Sequence, residues 1–137
     1  MLNAIPPPPR IESDDAMYFY GFTYESNVDL YRRIVDPSWD AASTAVPRAT
    51  IARRELEKII GVKMSLVEVY TDGDPPNALS MLAVASATKE KPESSRQVTK
   101  GQLMNIKNAG GFKGEARWLR SIWVIEDLQQ MSNSDLV

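Results

Sequence analysis

The sequence contains neither cysteine nor histidine. Without cysteine, the chain can form no disulfide, no thiolate nucleophile and no cysteine-ligated zinc site. Without histidine, it can form neither a serine–histidine–aspartate nor a cysteine–histidine catalytic site, and it lacks the usual ligand of transition metals. Any acid–base chemistry therefore falls to aspartate, glutamate, lysine or tyrosine. These absences predict a protein that holds no metal and uses no cofactor.

Long apolar runs and a strong net charge are also missing. No apolar run approaches the roughly 20 residues of a transmembrane helix, and the start, MLNAIPPPPRIESDD, has no signal-peptide pattern. The net charge of −2 gives no general attraction to nucleic acid or anionic lipid. Basic side chains outnumber acidic ones between positions 89 and 120, but a solvated face explains this better than nucleic-acid binding. We therefore expect a cytoplasmic protein with neither a membrane nor a nucleic-acid partner.

The sequence does contain enough apolar residues for one folded domain, since 43% of its 137 residues are hydrophobic. Residues 1–15 are predicted to be a proline-rich flexible leader, 16–130 a single domain and 131–137 a polar tail. In the leader, Pro6–Pro9 favour the polyproline II conformation. A protein partner could bind at Pro6–Pro9 or at Trp39, which lies in the loop DPSWDAAS. A leader that is flexible or lies along the domain, and a loop packed over the core, are the simpler interpretations.

Periodicity predicts the elements of the first half of the domain. The aromatic run AMYFYGFT, residues 16–23, is typical of a central strand. A capping-box pattern at Ser26 and Asp29 begins a helix that runs to Val35. Residues 47–60 carry a helical apolar stripe, although RATIARREL also alternates as a strand does. Helix is the favoured interpretation of 47–60.

The second half is predicted to hold three strands and one helix. Strands over 64–71 and 78–87 flank the turn DGDPPN, whose aspartates are explained by turn formation rather than by metal binding. A capping box at Thr99 and Gln102 begins a helix to about residue 109. Residues 117–126, RWLRSIWVIE, are apolar on both faces and predict a further central strand. The order predicts an α+β domain, a mixed sheet or partial barrel with about four core strands and three helices.

The stretch Tyr20-Gly21-Phe22-Thr23 is the first candidate for a binding site. A glycine where a strand gives way to a loop lets backbone amides approach a ligand, and Thr23 adds a hydroxyl group. These four residues are therefore candidates for ligand binding, although the residues taken alone favour a structural role for Gly21. The alternative is that Gly21 only relieves crowding among the neighbouring aromatic rings.

The stretch YFYGFTYESNVDLYRRIV resembles the opening of the γ-glutamyl cyclotransferase-like (AIG2-like) family. That family begins with an apolar strand, a Tyr-Gly-[Thr/Ser]-Leu turn and a helix; Tyr20 and Gly21 match its Tyr-Gly pair. SLVEVYTDGDPP is loosely similar to the family's central strand and turn, and LMNIKNAGG followed by RWLRSIWVI is similar to a helix and strand near its C-terminus. The matches cover about half of the chain.

The resemblance implies a small molecule with a γ-glutamyl group as ligand and release of 5-oxoproline as reaction. It also implies a general acid–base glutamate, but that position falls on Gly110. Glu115 lies nearby in the sequence and is the candidate substitute, although a solvated loop glutamate is the simpler interpretation. We therefore expect a small-molecule-binding or catalytically silent relative of that family. The alternative is a protein-interaction or assembly module of unrelated α+β fold.

Overall fold

The computed structural model describes residues 3–25, 27–38, 45–73, 75–92, 97–129 and 137. The described elements, in chain order, are β1 (Met17–Tyr24), α1 (Asn27–Ile34), α2 (Ala45–Ile60), β2 (Ser65–Tyr70), β3 (Ala78–Thr88), α3 (Lys100–Gly110), β4 (Arg117–Arg120) and α4 (Ile125–Gln129). Residues 47–60 are therefore helical, which confirms the interpretation that the sequence analysis favoured over a strand. The fourth helix, α4, was not predicted.

The four strands form one sheet in the order β2-β3-β1-β4, and all neighbouring strands are antiparallel. This confirms the predicted α+β class with four strands. With α1 and α2 counted as one crossover, the arrangement up to β4 is the β-α-β-β-α-β order of ferredoxin-like domains. The pairing is antiparallel throughout, not mixed. The outer strands also approach each other, because Val69 of β2 bridges to Ser121 just after β4, so the sheet curls toward a partial barrel.

Side chains on the two faces of the sheet form separate parts of the core. Tyr20, Phe22 and Tyr24 of β1 pack with helices α1, α2 and α3. Phe19, on the opposite face, packs in a second cluster that includes Leu128 of α4. Strand β1 is thus buried on both faces, which explains its continuous apolar sequence.

The strand predicted over 117–126 is shorter than expected, and its predicted central position is wrong. Strand β4 ends at Arg120 and pairs only with β1. Beyond it, the Ser121 hydroxyl oxygen accepts the backbone N–H of Trp123 at 3.0 Å, and α4 begins at Ile125. Trp123 is 49% exposed, so the alternating apolar pattern here does not mark a buried strand.

Helix α2 is fixed to the start of β2 by a buried charge. Arg53 is only 7% exposed, and its Nη1 donates to Glu57 Oε1 at 2.9 Å and to the Met64 carbonyl at 3.2 Å. Glu57 Oε2 in turn accepts the Met64 backbone N–H at 2.9 Å. Both partners of this ion pair are thereby engaged by the main chain, and the helix–strand connection is held in one geometry.

Candidate functional site

Gly21 lies inside a continuous strand, not at a strand end. Strand β1 extends to Tyr24, and its register against β3 shifts between Tyr20 and Gly21, which marks a β-bulge. A Cβ atom at Gly21 would lie 2.0 Å from the Leu82 carbonyl oxygen. The expected change from strand to loop at Gly21 is therefore wrong, because the glycine is needed for close approach of two backbones within the sheet. Of the four predicted ligand-binding residues, only Thr23 is not buried.

Phe22 and Tyr24 belong to a ring cluster inside the core. The Phe22 and Phe112 rings stack with centroids 5.1 Å apart and planes 7° apart, and the Tyr24 ring lies 6.3 Å from Phe112. Burial raises the pKa of Tyr24 to about 12. The hydrogen bond of its hydroxyl group with Ser80 lowers this pKa, and the negative charge of Glu68 raises it further. These rings stabilise the junction of β1 with α3.

Gly110, on which the resemblance would place an acid–base glutamate, is buried next to the same ring cluster. A Cβ atom at Gly110 would lie 2.2 Å from the Phe112 ring. Gly111 then takes a left-handed φ of 64°, which ends α3 and turns the chain back. No side chain fits at position 110 without displacing Phe112, so glycine here is explained by packing.

Glu115 lies in the loop between α3 and β4, where its side chain is 84% exposed and forms an ion pair with Lys107 of α3. Its negative charge contributes, after burial, to raising the pKa of Tyr20. Glu115 precedes strand β4, whose Trp118 is the cross-strand neighbour of Tyr20. The backbone of Gly21 lies between its two partners in the sheet, Ala83 of β3 and Arg117 of β4.

Trp118 of β4 packs beside Tyr20 of β1. The two side chains are cross-strand neighbours, with ring centroids 5.4 Å apart and planes tilted by 47°. The Trp118 indole Nε1 donates a hydrogen bond of 2.9 Å to the carbonyl oxygen of Pro6. The side chain of Ile5 packs on the adjoining core. The surface formed by Tyr20 and Trp118, called here the Trp118 face, is thus in contact with the leader through the hydrogen bond from Trp118.

The leader is held on both sides of this contact. The Ala4 N–H donates to the Val98 carbonyl at 2.7 Å, and Asn3 Oδ1 accepts the Val98 N–H at 3.0 Å. Further along, Ile11 is buried in a small cluster with Ala16 and Ala87, against which Trp118 also packs. Residues 3–11 therefore lie along the domain as a strap.

The prolines of the strap face outward for the most part. Pro6, Pro7 and Pro9 are exposed, and Pro8 is half-buried. Trp39, the other predicted partner contact, lies outside the described residues. The sequence analysis did not predict that Trp118 contacts the leader. The presence of a proline run and a tryptophan in the same chain was the only feature of the sequence that could have suggested this contact.

The basic side chains between positions 89 and 120 are partly engaged in ion pairs. Lys107 pairs with Glu115, and Arg117 Nη1 lies 2.8 Å from Asp72 Oδ2. The second pair joins β4 to the loop between β2 and β3, and it occupies one of the aspartates of the predicted turn. Both of these ion pairs lie at the surface of the domain.

No protein-family model matches the chain, and no curated protein or solved structure matches it. Among the described helices, none is both long enough and apolar enough to cross a bilayer.

Proposed function

We propose that the domain is a protein-interaction module that presents Pro6–Pro9 to a partner with a proline-recognising groove. One observation carries the proposal: the exposed prolines lie between two fixed points, the Val98 hydrogen bonds and the buried side chain of Ile11. Aromatic grooves of such partners bind proline-rich segments because the polyproline II shape is already formed before binding.

The anchoring of the strap strengthens this role. Binding of a loose segment is opposed by the entropy lost when its side chains and backbone become ordered. A strap tied at Ala4 and Ile11 has lost much of that freedom in the free protein. The exposed rings of Pro7 and Pro9 are then available at a lower entropic cost than in a free peptide.

Calorimetric titration of the full chain against an SH3, a WW and an EVH1 domain tests the proposal. We expect one of these domains to bind, and the double substitution Pro7→Ser/Pro9→Ser to weaken binding about tenfold or more, equivalent to about 1.4 kcal/mol. Pro76→Ser is the matched control, because it removes an exposed proline from the loop between β2 and β3. Equal affinities for the two variants, or no binding by any of the domains, would reject the proposal.

A second candidate function is binding of a γ-glutamyl compound, as the family resemblance implies. The observation that favours it is the ion pair of Lys107 with the exposed Glu115, since an amino-acid ligand carries both an ammonium and a carboxylate group that these two side chains could pair with. Because Gly110 supplies no carboxylate, we propose a relative that binds the ligand without turnover.

Incubation with γ-glutamyl amino acids, with measurement of both 5-oxoproline release and thermal stability, tests this candidate. We expect a rise in Tm without release, and loss of the rise in Glu115→Gln. Glu126→Gln, which changes an exposed glutamate of α4, is the control. Release of 5-oxoproline would instead assign turnover, and an unchanged Tm would exclude the binding role.

A further inference from the structure

We propose that the Trp118 face is itself a binding site for proline-rich peptide segments, occupied in this structure by the chain's own leader. This inference concerns the surface beneath the strap and does not depend on what the exposed prolines bind. The partner it assigns is an extended segment with an apolar residue followed by prolines, supplied by another polypeptide.

One contact of the bound strap, the hydrogen bond from an indole N–H to a carbonyl of the proline run, is of a kind that a proline-rich segment can make with an aromatic receptor. A second aromatic ring, Tyr20, lies 5.4 Å from that indole. The apolar residue before the prolines, Ile5, packs on the core next to the rings. Aromatic side chains that combine a flat apolar surface with a hydrogen-bond donor are the common feature of polyproline recognition.

Proline suits this surface for a physical reason. A proline-rich backbone forms no internal hydrogen bonds, so the Pro6 carbonyl remains free to accept from Trp118. Proline also has no N–H group that would need a partner along this segment. A segment that pairs its own carbonyls in a helix or sheet could not make the 2.9 Å contact without breaking those bonds.

The connection of the strap to the domain is exposed and is held at two points: the Asp15 carbonyl accepts the Ile125 N–H at 2.9 Å, and Lys89 Nζ lies 3.1 Å from Asp14 Oδ1. Residues 12–15 form a turn in which Glu12, Asp14 and Asp15 are exposed. The turn's own hydrogen bonds are long, at 3.4 Å from the Ala16 N–H to the Ser13 carbonyl and 3.3 Å from the Asp15 N–H to the Ser13 hydroxyl. None of the contacts at Val98 or Trp118 requires that the strap belong to the same chain.

The strap competes with any peptide from outside. A segment joined by a short linker has an effective concentration on the order of millimolar at its own site. Peptide binding to the unmodified protein is therefore weak, and it becomes measurable when the strap is loosened. Asn3→Ala/Ile5→Ala achieves this, because it removes the acceptor of the Val98 N–H and the apolar anchor while leaving Tyr20 and Trp118 intact.

The test follows the indole N–H resonance of Trp118 in the nitrogen–proton NMR spectrum of the full chain, identified among the three tryptophans by its loss in Trp118→Phe. Asn3→Ala/Ile5→Ala should shift this resonance, and the peptide NAIPPPPRIE, with blocked termini, should return it to its original position. Saturation should need about tenfold less peptide than in the unmodified protein. A control peptide, NAIASASRIE, should leave the shifted resonance unchanged.

A second variant covers the case in which the loosened protein does not fold. A protease site in place of residues 12–15 lets the strap be cut and washed from a domain that folded with it bound, and the peptide is then added back. The proposal is overturned if the shifted resonance does not respond to NAIPPPPRIE, or if both peptides act equally. The proposal is supported if NAIPPPPRIE restores the resonance and NAIASASRIE does not. In addition, the Leu119 amide resonance of the Trp118→Phe protein should not shift when NAIPPPPRIE is added.

Discussion

The indole Nε1 of Trp118 lies 2.9 Å from the carbonyl oxygen of Pro6, a residue 112 positions earlier in the chain. This hydrogen bond joins the proline-rich leader to the edge strand β4 and to the ring of Tyr20 beside it. The leader therefore contributes to the surface of the domain, and Trp118 is the residue through which its attachment can be measured.

We predict that Trp118→Phe loosens the leader and leaves the domain folded. The phenyl ring keeps most of the packing but cannot donate to Pro6, so the free energy of unfolding should fall by only about 0.5–1 kcal/mol. Exchange of the Ala4 amide hydrogen, which is bonded to the Val98 carbonyl, should become faster. Hydrogen exchange and urea denaturation measure the two effects. Trp123→Phe is the control, because Trp123 is half-exposed; faster exchange at Ala4 in that variant too would contradict the assignment.

We predict that Gly21→Ala strongly destabilises the domain. The new Cβ would lie 2.0 Å from the Leu82 carbonyl oxygen, so β1 and β3 must separate at the bulge. The expected loss is about 3 kcal/mol in urea denaturation, at the upper end of the cost of overpacking. Gly114→Ala is the matched control, since a Cβ at Gly114 would meet no atom within 4 Å beyond its chain neighbours, and it should change stability by less than about 0.5 kcal/mol. Similar denaturation midpoints for the two variants would show that the bulge adapts.

The different outcomes at Gly21 and at 47–60 show what local sequence can and cannot predict. Helix α2 follows from an apolar stripe of helical period, which is a local property and needs no knowledge of the rest of the chain. The role of Gly21 depends on Leu82 in a strand that is distant in sequence. A glycine in an aromatic run is compatible with either a turn or a bulge, and only the partner strand decides between them.

The error at the end of β4 has the same origin. The apolar alternation in RWLRSIWVIE continues past Arg120, but the backbone partners of the following residues come from elsewhere in the chain. The Ile122 N–H donates to the Glu68 carbonyl at 3.2 Å, and the Ile125 N–H donates to the Asp15 carbonyl at 2.9 Å. These long-range bonds redirect the chain into α4. Neither they nor the contact of Trp118 with Pro6 leaves a signal in local periodicity.

We predict that Gly110→Glu, which introduces the glutamate of the family resemblance, destabilises the domain without adding 5-oxoproline release. The new side chain must displace the Phe112 ring, at a cost of about 1–3 kcal/mol, partly offset by about 1 kcal/mol from replacing a helical glycine. Gly101→Ala in the same helix has room, its nearest atom lying 3.9 Å away, and should be neutral or stabilising. In a Phe112→Ala background the cost of Gly110→Glu should disappear; a cost that persists there would place the conflict elsewhere.

We predict that the domain loses stability above about pH 10, the ordinary pKa of tyrosine, in part because Tyr24 is buried. Its pKa is raised to about 12 in the folded protein, chiefly by burial. Folding therefore favours the neutral form of the Tyr24 side chain. Its contribution to stability is complete at pH values below the pKa of tyrosine in the unfolded chain, and it is lost as the pH rises through the pKa of Tyr24 in the folded protein. A shift of about two units corresponds to about 2.7 kcal/mol between the two limits.

Urea denaturation at several pH values between about 9 and 12, comparing the unmodified protein with Tyr24→Phe, measures this contribution. The variant should lose less stability over the range, since phenylalanine has no proton to release, although Tyr20, whose pKa is also raised, keeps some dependence in both proteins. Tyr70→Phe alters an exposed ring at the sheet edge and serves as the control. If Tyr24→Phe and Tyr70→Phe have the same pH dependence, then Tyr24 does not stay protonated in the core and the ring cluster must admit water at high pH.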